Sequence, residues 1–385
     1  MKITVNTKSF IDAIGWTVKS MDSKDQDAFI VLETDENSEG SLSHTNSFSY
    51  MKAPFEVVTA EDASDNKLAL SGQFLSKLVP ALNNSGDTVN LELTEKSGTR
   101  TLNLKGKTGR FSIPIHGSRI PKKPETEKLG EVSDTEYFDY ILRLTKLCAA
   151  DTEGLMPALG AVDVKLSKED ESLVMMASDR YALGEITLDF EPANDFEDDD
   201  ERHYLIPHGN SGLISPTRGS SDSIELVFDK TSEKFGYRFV DGREALFVLK
   251  DADPMTYKNI KSSMSDMVEH SIVTDRKELT KAISIMASLS WDEDDTFITI
   301  DPNEGLVVHD SHKTNKMNVS SEDISADQEY SLQFVREIIE EAFAPINTAK
   351  VKIEWGSSDS TPVVLTPILD SGDDDESVFV SAATI

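Results

Sequence analysis

Ser178, Asp179, Arg180 and Tyr181, in the stretch "ASDRYALGEI" (177–186), bring a hydroxyl, a carboxylate, a guanidinium and a phenol into four consecutive positions. Such a set suits nucleophilic or acid–base chemistry. It lies between two segments that read as strands, so a catalytic loop, the rim of a binding pocket and a plain turn are all open readings. Other candidates fail on spacing. "GKT" at 106–108 resembles the end of a phosphate-binding loop, but that motif needs a glycine where Thr101 stands. "GNSG" at 209–212 is not the G-x-S-x-G of a nucleophile elbow. "DPNEG" at 301–305 begins like a calcium loop but lacks its later ligands and closing Glu. No H-E-x-x-H occurs, and His309 and His312 have no partner in a metal-binding pattern. With 70 Asp+Glu in 385 residues, a pair of carboxylates carries no information. The expectation is a protein without catalytic residues, metal or cofactor.

Charge narrows the partners. The net charge of −32 argues against a broad basic surface for nucleic acid. Its distribution is uneven. Residues 1–130 carry 16 Lys+Arg against 17 Asp+Glu, residues 131–262 carry 14 against 28, and residues 263–385 carry 8 against 25. A nearly neutral third precedes two acidic ones, which gives the basic residues of the first third a candidate task. The acidic runs "NDFEDDDE" (194–201), "WDEDD" (291–295) and "SGDDDE" (371–376) read as solvated loops. The start "MKITVNTKSF" has no apolar core of a signal peptide, and no apolar run is long enough to span a bilayer. Cys148 stands alone, so there is no disulfide framework, and it reads as a small apolar helix residue. A soluble, intracellular protein is expected.

The elements that position these residues repeat. "VNTKSFIDAI" from Val5, "VSDTEYFDYIL" from Val132 and "VTDRKELTKAI" from Val273 each pair a short strand-like start with a capping turn and helical apolar spacing. The apolar positions are Phe10, Ile14 and Val18, then Tyr137, Ile141, Leu144 and Cys148, then Leu279, Ala282, Ile283 and Met286. A second helix is expected in each copy: "SGQFLSKLVPAL" from Ser71, "PHGNSGLISP" from Pro207 and "SLQFVREIIEEAF" from Ser331. The middle one is weakened by two glycines and two prolines. Alternating strands follow at 89–93, 224–228 and 351–355, and further strands at 109–115, 242–250 and 361–369. The fold class is α+β, one unit used three times. Polar stretches at 122–130 and 257–266 read as linkers, giving domains 1–130, 131–262 and 263–385.

Taken end to end, these segments resemble a bacterial-type DNA sliding clamp, the beta subunit of DNA polymerase III. "MKITVNTKSFIDAI" resembles that family's opening strand and helix, and "GRFSIPI" the strand that closes its first domain. "ASDRYALGEI" resembles its Thr-Asp-Gly-His-Arg-Leu-Ala segment, and "DADPMTY" its Gly-Arg-Phe-Pro-Asp-Tyr segment. "YSLQFVREIIEEAF" and "STPVVLTPI" resemble its last helix and strand. The resemblance implies a homodimeric ring of six similar domains with helices lining the hole, encircling double-stranded DNA without sequence preference. It implies a processivity factor for DNA replication, with DNA polymerase and clamp loader as partners, no enzymatic activity and no membrane. A cytoplasmic location in a bacterial cell or phage-infected host follows. An acidic exterior fits such a ring, which holds DNA by topology.

The resemblance also implies sites. DNA-facing cations would be Lys8, Lys19, Lys77, Arg143, Lys146, Lys277 and Lys281. A pocket for partner peptides would be lined by Leu155, Ala158, Ser178, Arg180, Tyr181, Leu183, Pro254, Asn259, Ile260, Ser381, Ala383 and Ile385. The dimer interface would bring Phe111 and Ile113 to Ser288 and Leu289. Departures are clear. The family's Gly-His-Arg is Arg180-Tyr181-Ala182 here, and its Met-Pro-Met-Arg-Leu ending is Ser381-Ala382-Ala383-Thr384-Ile385. These make the pocket smaller and more polar, as in a phage-encoded or otherwise specialised member. Two rivals make contrary predictions. An enzyme using the 178–181 loop needs a cleft with perturbed titrating groups there, and an Asp179 that holds its own turn counts against it. A clamp-like scaffold that binds replication or repair proteins without encircling DNA predicts a monomer, or a ring whose hole is not positive.

Overall fold

The computed structural model describes residues 1–385 apart from 23–27, 35–38, 63–66, 116, 118–119, 149–155, 180, 197–202, 212–222, 255–266, 290–294, 302–303, 311, 358–361, 370, 372–376 and 382–385. One element order occurs three times. The first run is β1 (Lys2–Asn6), α1 (Thr7–Thr17), β2 (Phe29–Thr34), β3 (Glu39–Thr45), β4 (Ser49–Asp62), β5 (Lys67–Ser71), α2 (Gly72–Leu82), β6 (Thr88–Lys96), β7 (Thr99–Lys105) and β8 (Arg110–Pro114). The second is β9 (Glu127–Ser133), α3 (Asp134–Leu144), β10 (Ala161–Ser167), β11 (Ser172–Ser178), β12 (Ala182–Asp189), β13 (Glu191–Pro192), β14 (His203–Pro207), α4 (His208–Ser211), β15 (Ser223–Asp229), β16 (Lys234–Phe239) and β17 (Glu244–Val248). The third is β18 (His270–Asp275), α5 (Arg276–Leu289), β19 (Asp295–Asp301), β20 (Gly305–His309), β21 (Lys316–Val319), β22 (Ser321–Ser325), β23 (Tyr330–Val335), α6 (Arg336–Phe343), β24 (Lys350–Trp355), β25 (Val363–Ile368) and β26 (Ser377–Ser381).

Local sequence explains the helix starts. Asn6 caps α1 by accepting from the Ser9 amide at 3.0 Å, Ser71 caps α2 through Phe74, and Asp275 caps α5 through Glu278 at 2.8 Å. Phe10 and Ile14 of α1 and Leu75 and Leu82 of α2 are fully buried, as are Leu279 and Ala282 of α5. The expected third-copy helix from Ser331 begins later. Residues 330–335 pair as β23 with β19, Tyr330 opposite Ile300 and Leu332 opposite Ile298, and the helix starts at Arg336. Apolar side chains there alternate with the strand period, which helical spacing over 334–343 masks. The expected second-copy helix is the four-residue α4, and the rest of that stretch lies outside the described residues.

The chain divides into two compact units. One comprises Met1–Asp134, Pro192–Phe196 and Leu213–Leu249, and the other Thr135–Glu191, Glu197–Gly212 and Lys250–Ile385. The boundary expected near residue 130 falls within β9, and the one expected at 257–266 lies outside the described residues. In the first unit, strands run β9-β15-β16-β17-β4-β1-β6-β7-β8, and β4 also carries the branch β3-β2-β5. In the second, β14-β10-β11-β12-β26-β25-β24-β18-β22 form one sheet and β21-β20-β19-β23 another. The pairings of β1 and β17 with β4, of β12 with β26 and of β19 with β20 are antiparallel, as are their neighbours. The second repeat thus contributes to both units. Its closing strand β17 joins β4, and its β12 receives β26.

Candidate functional site

The Ser178–Ala182 loop is a hairpin turn joining β11 to β12, with Ser178 paired to Leu183. Asp179 Oδ1 accepts from the amides of Tyr181 at 2.8 Å and Ala182 at 2.7 Å, and the Ser178 hydroxyl donates to the Ala182 carbonyl at 2.8 Å. The carboxylate holds its own turn. The same device closes the equivalent turns of the other repeats. Asn46 Oδ1, between β3 and β4, accepts from Phe48 at 2.9 Å and Ser49 at 2.7 Å. Asp310, between β20 and β21, accepts from the amides of Thr314 and Asn315 at 2.8 and 3.0 Å. Asn46 and Asp310 give no signal in the sequence, because the three turns differ in length and share only an Asn or Asp.

Around the 178–182 turn, strand pairing gathers part of the expected pocket. Ala182 stands opposite Ser381 and Leu183 opposite Val380. Ala158 is buried with Leu159, Ala161 and Leu205, and Ala252, two residues before Pro254, packs on that cluster. Ser178 is buried, Leu183 and Pro254 are half-buried, and Tyr181 is 58% exposed. Leu155, Arg180, Asn259, Ile260, Ala383 and Ile385 lie outside the described residues.

The expected DNA-facing cations fall into two groups. Lys8 on α1, Lys77 on α2, and Lys277 and Lys281 one turn apart on α5 are exposed. The other three are engaged. The Lys19 ammonium lies 5.1 Å from the Trp16 ring centre, with Arg243 at 4.9 Å from the same ring. Burial, then the Arg243 charge, push its pKa down. Arg143 pairs with Asp139 and covers Tyr140, and Lys146 donates to the Ala344 carbonyl at 3.0 Å, just past the end of α6. Among the described residues no group of three His, Cys, Asp or Glu side chains is arranged to hold a metal, and no helix is long and apolar enough to cross a membrane. Burial pushes the Cys148 thiol up to about 12.

No protein-family model matches the chain. The beta sliding clamp of Micrococcus luteus is 24% identical over 317 residues, covering 81% of this chain and 94% of that one. The DNA polymerase III subunit beta of Pseudomonas aeruginosa matches with a TM-score of 0.76 at 14% identity, over 100% of both chains. The Helicobacter pylori beta clamp, solved with a DNA ligase peptide, matches at 0.73 and 14% identity, again over 100% of both. The chain has the fold of the bacterial beta sliding clamps and is similar in sequence to one of them.

The strand and helix ends qualify the expected interface residues. Ile113 is fully buried opposite Leu102, inside its own unit. Phe111 is half-buried on the same face, so the outward positions of β8 are Arg110, Ser112 and Pro114. Ser288 and Leu289, at the end of α5, are exposed. The sequence signal that separates Ile113 from a surface residue is the strand period itself: alternate β8 residues face the core.

Proposed function

We propose that two copies of this chain join head to tail into a closed ring around duplex DNA and tether the replicative DNA polymerase to its template. The three repeats act as domains 1–130, 131–262 and 263–385. One observation carries this reading. The start of the long β4-type strand receives the closing strand of the next repeat twice within the chain. Ser49–Lys52 take β17, and Ala182–Ile186 take β26. One donor and one acceptor are then left over. Among the described residues, β8 ends its sheet and β21 is paired only to β20. A third joint of the same kind, β8 of one copy on β21 of another, uses both open edges, and repeating it once closes a ring of six domains.

Such a ring performs no chemistry. It acts by topology, raising the effective concentration of a bound polymerase at the primer end. The exposed Lys8, Lys77, Lys277 and Lys281 supply a modest positive lining that neutralises phosphates without fixing the ring in place. Lys19, Arg143 and Lys146 serve the packing of the helices that carry them. The Ser178–Leu183 turn, with Ala158, Pro254 and Ser381, forms the described part of a pocket for short peptides of the polymerase and the clamp loader. The protein works in the cytoplasm of a bacterial cell or phage-infected host. Retention on DNA tests the reading. Protein loaded onto nicked circular duplex should co-elute with it and be released when the circle is cut. Equal retention on circular and linear DNA would contradict it.

A further inference from the structure

The first unit holds a cavity of about 370 Å³ on the face of the β2-β3-β4 sheet turned away from the helices. Strand alternation fixes that orientation. Leu42, Met51 and Ala53 are buried, and Phe55 stacks on Phe10 of α1, while Ser43, Tyr50 and Lys52 line the cavity. The segment Ile120–Lys123 forms the opposite wall.

One cation in it lacks a partner. Lys52 is half-buried, and among the described residues no carboxylate or carbonyl lies within bonding distance of its ammonium. The neighbouring carboxylates face other cations. Glu33 faces Lys67 at 3.6 Å, Glu244 Oε1 takes Arg238 at 2.9 Å, and Glu244 Oε2 lies 3.9 Å from Lys123. Burial, then the nearby Lys123 charge, lower the Lys52 pKa, and the Glu244 and Glu33 charges offset this only in part. Beside these polar groups stand the apolar surfaces of Val31, Ile120 and Pro121.

We propose that this cavity is a second docking site, for a short peptide that pairs an apolar side chain with a carboxylate. The carboxylate binds Lys52, with Lys123 beside it, and the apolar side chain lies against Val31, Ile120 and Pro121. The apolar wall favours a peptide over a nucleic-acid phosphate. The joint of β17 with β4 beside it matches the joint of β26 with β12 beside the other pocket. The turn from Thr45 to Tyr50, both lining residues, carries Phe48, 71% exposed, in the position Tyr181 holds in the second repeat.

Methyl NMR on the full chain, with Ile and Val labelled, tests this without reference to ring closure or DNA loading. The probes are acetyl-Leu-Asp-Leu-amide, acetyl-Leu-Asn-Leu-amide and the oligonucleotide dT8. The Asp peptide should shift the Val31 and Ile120 methyls and bind about tenfold more tightly than the Asn peptide. Lys52→Met should erase that preference, and Lys8→Met should keep it. Lys52→Arg, which keeps the charge, should keep the preference and guards against a misfolded Lys52→Met variant. Equal binding of both peptides, no shift at either methyl, a preference that survives Lys52→Met, or Lys52-dependent shifts with dT8 alone would each overturn the proposal.

Discussion

Asn46 and Asp179 do the same work in two equivalent turns. Each side-chain oxygen accepts from the backbone amides two and three residues ahead, Phe48 and Ser49 in one case and Tyr181 and Ala182 in the other. The Ser178 hydroxyl and Asp179 carboxylate, which suggest acid–base chemistry, are therefore engaged in the hairpin that presents β12 to β26. Asp179→Asn should keep the turn, because the amide oxygen can accept the same bonds. Asp179→Ala should cost about 1–2 kcal/mol, read by urea denaturation, and loosen the β12 end of the proposed peptide pocket.

The lysine account predicts a graded salt effect. Replacing Lys8, Lys77, Lys277 or Lys281 by Ala should weaken binding to a short duplex, and each phosphate left unneutralised should reduce the slope of log K against log salt by about 0.9. Replacing Lys19 should leave that slope unchanged, because its ammonium is committed to Trp16. Fluorescence anisotropy across a salt series distinguishes the two classes.

Gly236 in β16 is required by close packing. A Cβ there would stand 1.9 Å from the Ala245 carbonyl oxygen, in the strand that docks on β4. Gly236→Ala should destabilise the protein by about 3 kcal/mol or more, since a backbone carbonyl cannot step aside cheaply. Gly15→Ala, where nothing lies within 4 Å on a helix, should be neutral or gain up to about 1 kcal/mol. Thermal melts should show a lower midpoint for the first variant and an equal or higher one for the second.

Cys148 should be chemically quiet. With its thiol pushed up to about 12 by burial, the reactive thiolate is scarce at neutral pH. Labelling with a disulfide reagent at pH 8 should be slow in the native protein and fast after denaturation, and the native rate should rise as pH climbs toward 12.

The repeated strand–helix starts are readable in the sequence, because Phe10 and Ile14, Tyr137 and Ile141, and Leu279 and Ile283 keep helical spacing behind capping residues. The compact units are not. They depend on β17 pairing with β4 and β26 with β12, and a strand does not record in its own residues which edge it will join. Ser331–Val335 reads as helix because a strand running straight into a helix leaves one unbroken apolar pattern. At the site, the 178–183 turn stands out for its polar residues, but its structural role emerges only beside the Asn46 and Asp310 turns. Lys52 gives no signal, since an unpartnered cation is visible only once its neighbours are in place.

The most direct test of the ring is the mass of the protein in solution at micromolar concentration, by light scattering at low and high salt. The account predicts a mass near twice 42.5 kDa at both. It also predicts a shift to the single-chain mass for Asn318→Pro, an exposed β21 residue opposite Val307, with the fold unchanged by circular dichroism. A single-chain mass for the natural sequence at both salts would contradict it.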